Sequence, residues 1–124
     1  MTEQKYKKLF RLYRPIWKAF EENGWCVERS GNEVMLCNYS PAGEELYETL
    51  YLDGEENIVK QLYALYDNFD EEEHAAMWLD AKRNGTKGVP CIQTLVHDAE
   101  RIAEMYLQLF LLADENYKYC KGAK

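Results

Sequence analysis

The sequence predicts an α+β domain: an N-terminal helix, a small three-stranded antiparallel meander, then three helices with a long C-terminal helix. Three observations predict it. Residues 2–23 repeat apolar side chains at three- and four-residue spacing, residues 25–52 form short runs of strand type broken by turn residues, and the helical period returns after Asp53-Gly54. With 124 residues, 47% of them hydrophobic, the chain is expected to form a single domain over 1–124 that buries a core of its own.

In the first element Tyr6, Leu9, Phe10, Tyr13, Ile16, Trp17 and Phe20 make one stripe. Pro15 falls inside that stripe without breaking its phase. The reading is therefore one kinked helix, or two helices with Pro15 opening the second, closed in either case by Asn23-Gly24.

Residues 25–40 read as two strands around Gly31-Asn32, a two-residue hairpin connection that sets Cys26 opposite Cys37 and puts Trp25, Val27, Val34 and Leu36 on one face. Pro41 suits the second position of a type I turn. Residues 45–52 supply the third strand, with its register against the second left open.

Ile58, Leu62, Leu65, Tyr66 and Phe69 form the inward stripe of the next helix. In the run FDEEEHAAMW, Asp70 and Glu73 have the N-cap and N3 spacing of a capping box, and Glu71 and Glu72 lie in the first turn, where the helix dipole favours negative charge. Met77, Trp78 and Ala81 then make the inner face, up to Asn84-Gly85. Pro90 begins the last helix, whose stripe runs from Ile92 through Leu95, Val96, Ala99, Ile102, Ala103, Tyr106, Leu109 and Phe110 to Ala113. Met105, Leu107, Leu111 and Leu112 add a second apolar face, so this helix is either central or pairs with a second copy as a homodimer.

Chemistry-bearing patterns are few. Glu71-x-x-His74 matches half of a di-metal carboxylate motif, but His97 has Thr94 three residues before it, so the second half is missing and the acids are read as a helix start. On that reading His74→Ala is nearly silent. Cys26, Cys37, Cys91 and Cys120 form no C-x-x-C pair, and with His74 and His97 as the two histidines the usual zinc spacings cannot be assembled. A Cys-His nucleophile has nothing in the sequence to position it, Ser40 lacks a nucleophile elbow, and "NGTKGVP" departs from the phosphate-loop order. No catalytic, metal or cofactor-binding residue is assigned and no cofactor is expected.

The stretch MYLQLFLLA is about half of the roughly 20 residues a membrane-spanning helix needs, and the basic N-terminus lacks an apolar signal core. The expectation is a cytoplasmic protein whose cysteines stay thiols.

Charge is the most informative feature. Residues 1–18 carry six bases against one acid, residues 19–80 sixteen acids against two bases, and the whole chain has a net charge of -7. Between Glu44 and Glu73 eleven acids face one base, Lys60, with Tyr47, Tyr51 and Tyr63 interleaved. Such a segment disfavours direct nucleic-acid binding and suits a cationic groove on a protein partner. The residues expected to contact that partner are Glu44, Glu45, Glu48, Glu55, Glu56, Glu71 and Glu72. A solvated acidic surface is the plainer alternative.

The order NYSPAGE (38–44), then FDEEEHAAMW (69–78), then GVP (88–90) and an amphipathic last helix resembles a family of small proteins encoded by phages and conjugative elements of gut Firmicutes. The likeness covers about Asn38 to Tyr106. It implies a genetic setting, and no catalytic residues come with it. Small acidic proteins of that setting are often inhibitors of host defence nucleases, of the anti-CRISPR or anti-restriction type, so the expected function is non-enzymatic binding to such a protein. The alternatives are an accessory or regulatory protein of the element's own DNA processing that uses the basic N-terminal helix, and, third, a small enzyme of unrecognised class.

Overall fold

A computed structural model describes residues 2–85, 87–89 and 91–120, with no side-chain detail at Ile92. Its order is α1 (Glu3–Leu12), α2 (Arg14–Glu22), β1 (Cys26–Ser30), β2 (Glu33–Tyr39), β3 (Glu45–Tyr51), α3 (Ile58–Asn68), α4 (Glu71–Arg83) and α5 (Ile92–Asn116), followed by a single 3-10 turn at Tyr117–Tyr119. The fold is α+β.

The N-terminal segment forms two helices. Tyr13 ends α1 and caps α2, and Pro15 sits in the first turn of α2, where its missing N–H leaves no hydrogen bond unmade. The end of α2 is closed by Gly24 at φ +92: Gly24 N–H donates to Glu21 O at 3.1 Å and Trp25 N–H to Phe20 O at 3.1 Å. These are the paired bonds of a Schellman cap, and the left-handed backbone they need suits glycine.

The sheet is an antiparallel meander in the order β1-β2-β3. Ser30 pairs with Glu33 across Gly31-Asn32, and that register carries Cys26 opposite Cys37, as the turn spacing predicts. Gly31 has φ +60 and no non-glycine residue among those described has positive φ, which fits a turn with glycine at its first central position. Pro41 stands second in the turn closed by Gly43 N–H to Ser40 O at 2.9 Å. The register left open by the sequence sets Cys37 against Tyr47 and Glu33 against Tyr51.

One face of the sheet is covered. Val34, Leu36, Leu46 and Leu50 pack into a core with Ile16, Trp17 and Phe20 of α2, Ile58 and Leu62 of α3, and Ile102, Tyr106, Leu109 and Ala113 of α5. The long helix α5 packs against α2, α3 and α4 within the chain. Three sequence expectations need correction. Met77 is 56% exposed, because His74, Ala75, Trp78, Leu79 and Ala81 are the half-buried residues of α4, while Val96 and Leu111 of α5 face solvent. Leu107 is half-buried. The predicted start of α5 at Pro90 lies outside the described residues. No described helix is long and apolar enough to cross a membrane.

Candidate functional site

Two arrangements bring chemistry-bearing residues together. The first is a buried polar cluster joining the β2–β3 turn, α4 and α5. Asp98 is 3% exposed, and it accepts from Ser40 Oγ–H at 2.6 Å and from Ala42 N–H at 3.0 Å. Ser40 Oγ in turn accepts from Glu44 N–H at 2.9 Å. Glu44 points inward, where its Oε1 lies 2.9 Å from His74 Nε2 and accepts from Trp78 Nε1–H.

The Asp98 and Glu44 carboxyls are neighbours that shift each other in opposite directions. Among the described residues no N–H or O–H donor reaches the buried Glu44 Oε2. Burial and the Asp98 contact push Glu44 above its ordinary value, against the pull of Trp78 and His74. Burial also acts to raise Asp98, but the Glu44 carboxyl and hydrogen bonds from Ser40 and the Ala42 N–H outweigh it and hold Asp98 low. Ser40, His74 and Trp78 are all engaged by these carboxyls, so the cluster fastens α4 and the turn onto α5.

The second arrangement is the uncovered face of the sheet. By the alternation of the strands it carries Tyr39, Tyr47 and Tyr51, which are 64%, 55% and 45% exposed. The carboxylates Glu28, Glu33 and Glu45 leave the same face, and no Lys or Arg stands at an outward strand position. Every outward residue of the three strands is exposed or half-buried.

The seven glutamates expected to meet a partner do not form one surface. Glu44 belongs to the buried cluster, and Glu48, on the inward side of β3, accepts from Tyr106 Oη–H at 2.8 Å. Both are corrections to the picture of a free acidic array, since their oxygens bind donors within the chain. Glu45 lies on the open sheet face, Glu55 and Glu56 between β3 and α3 with Glu56 3.9 Å from Lys60, and Glu71 and Glu72 in the first turn of α4. All five are exposed. Sequence reasoning missed Asp98 and the inward turn of Glu44, and it left Tyr39, Tyr47 and Tyr51 without a shared face. Strand alternation carried the signal for the tyrosines, but only once the β2–β3 register was known.

Cys91 stands at the N-cap of α5, where hydrogen bonds from Thr94, with Sγ to Oγ1 at 3.1 Å, pull its thiol down. Cys91 and His97 both line an open groove beside the start of α5. The exposed bases Lys5, Lys7, Lys8 and Arg11 lie along α1, and Arg14 and Lys18 continue the patch on α2. No protein-family model, no curated protein and no solved structure matches the chain.

Proposed function

We propose that this chain is a non-enzymatic binding protein that docks its open, tyrosine-bearing acidic sheet face onto a cationic surface of a protein partner. The observation that carries the reading is the uncovered face itself, with three exposed tyrosines, three carboxylates and no base. Tyrosines are enriched in interfaces, and a phenol ring beside a carboxylate suits a guanidinium through cation–π and charge-assisted contacts. The exposed Glu55, Glu56, Glu71 and Glu72 add to the negative charge of the chain and favour the approach of a cationic partner.

The concrete version is an inhibitor of a host defence nuclease, of the anti-CRISPR or anti-restriction type, acting in the cytoplasm of a bacterial host. It draws its support from the resemblance to mobile-element proteins and from the match between an acidic face and a groove built for phosphates. Affinity capture from host lysate, with and without nuclease treatment, tests it. A protein partner retained after nuclease treatment, and lost when Tyr39, Tyr47 and Tyr51 are replaced by serine, supports the reading.

A second reading is favoured by the basic stripe on α1 and α2, beside which Phe10, Trp17 and Val27 line an open groove of about 470 Å³. Under that reading the chain serves the element's own DNA processing, and capture depends on nucleic acid and on Lys7, Lys8 and Arg11.

A further inference from the structure

Cys26 and Cys37 face each other directly across β1 and β2. In a two-residue hairpin the closing pair, Ser30 and Glu33, exchanges both backbone hydrogen bonds, and antiparallel alternation makes Glu28–Met35 and Cys26–Cys37 pairs of the same kind. Such pairs hold their Cα atoms about 5.5 Å apart, within the roughly 4.4–6.8 Å that a disulfide spans. Both side chains leave the same uncovered face, Cys26 exposed and Cys37 half-buried, and both thiols are free. Their proximity is felt electrostatically: burial first, then the neighbouring Cys26, then Glu45 and Glu28 push the Cys37 thiol up.

We propose that Cys26 and Cys37 form a reversible dithiol site that reacts with low-molecular-weight disulfides, of which glutathione disulfide is the probe, and closes to a cross-strand disulfide on the open sheet face. The Cys26 thiolate, the more accessible of the two, attacks one sulfur of glutathione disulfide and expels the first glutathione as a thiolate. The Cys37 thiolate then attacks the Cys26 sulfur of this mixed disulfide and expels the second. The two thiols lose two electrons to glutathione disulfide and their protons end on the two glutathiones, so one disulfide bond breaks as one forms. An exposed disulfide of this kind belongs to the readily reduced class, so the pair opens again when reduced glutathione predominates. The proposal is independent of the partner-binding reading.

The test uses the full native chain in buffers of rising glutathione disulfide content, with acid quenching, alkylation of free thiols, digestion and mass measurement. The expected product links the Cys26 and Cys37 peptides at a mass two hydrogens lower, is reopened by reduced glutathione, and forms in higher yield from native chain than from chain unfolded in urea. Cys91, with its lowered thiol pKa, carries a separate glutathione. In the variant Cys37→Ser, Cys26 is expected to keep its glutathione as a stable mixed disulfide. The proposal is overturned if Cys26 and Cys37 remain alkylatable or each hold their own glutathione under oxidising conditions. It is equally overturned if the native fold gives no more of the linked product than the unfolded chain.

Discussion

Glu44, at the end of the β2–β3 turn, and Asp98, on α5, are joined inside the protein through Ser40, whose Oγ accepts from Glu44 N–H at 2.9 Å and donates to Asp98 at 2.6 Å, and their carboxyls shift each other in opposite directions. This contact makes stability depend on pH in two opposed ways. Glu44 holds its proton more tightly folded than unfolded, so its contribution is complete below the ordinary carboxyl value and is lost as pH rises through the higher folded value. Asp98 is held low, so its contribution is complete above its ordinary value and is lost as pH falls through the folded one.

Glu44→Gln is expected to keep the acceptor for His74 and Trp78 while offering Asp98 a permanent N–H donor. Urea unfolding followed from about pH 4 to about pH 8 should show the parent losing stability on the rising side, and the Gln variant should lack that loss. Equal slopes in the two proteins would refute the raised titration of Glu44 beside Asp98.

Asp98→Ala strips the acceptor from Ser40 Oγ–H and from the Ala42 N–H. Leaving the buried Ser40 hydroxyl unmatched costs about 1–3 kcal/mol and the half-buried Ala42 N–H adds to it, so a loss of about 3 kcal/mol is expected in the same unfolding measurement.

His74→Ala reverses an expectation. Read as the residue after a capping box, His74 has no partner and its loss is nearly silent, but it binds Glu44 Oε1 at 2.9 Å and lies tilted against Phe69 with ring centroids 5.3 Å apart. A loss of about 1–2 kcal/mol is expected. Asp70→Ala, by contrast, removes the acceptor for Glu73 N–H at 3.1 Å and is expected to cost about 1 kcal/mol, the usual N-cap value.

Gln61 extends the edge of the sheet. Its side-chain amide takes the Tyr51 N–H and donates to Tyr51 O, both at 2.8 Å, and donates again to Glu56 O at 2.8 Å. Gln61→Ala is expected to speed hydrogen exchange at the Tyr51 amide several-fold and to cost about 1 kcal/mol, with the amides of β2 less affected.

What the sequence made legible was local. Asp70 three residues before Glu73, Gly31-Asn32 between strands and Pro15 in a continuing stripe each settle a cap, a register or a helix start through near neighbours. The candidate sites were less legible because their partners are distant: Ser40 meets Asp98 across 58 positions and His74 meets Glu44 across 30. Met77 was placed inward for the same reason. His74 looks like a solvated residue until Glu44 reaches it, and once His74 turns inward the whole face of α4 rotates with it. Glu48 shows the effect in β3, where only the packing of α5 brings Tyr106 to its carboxylate.

The measurement that bears most directly on the proposed function compares association rates of the captured partner with three forms of the chain over a range of salt. The parent should bind fast at low salt and slow steeply as screening shortens to about 8–10 Å. A variant neutralised at Glu28, Glu33 and Glu45 should associate more slowly and respond less to salt, with its fold intact because all three side chains leave the uncovered face. A variant neutralised at Glu55, Glu56, Glu71 and Glu72 should lose only part of the low-salt rate and keep the parent's complex lifetime, since these acids steer without touching. If instead the Glu28, Glu33 and Glu45 variant associates at the parent's rate with the parent's salt dependence, the open sheet face is not the docking surface.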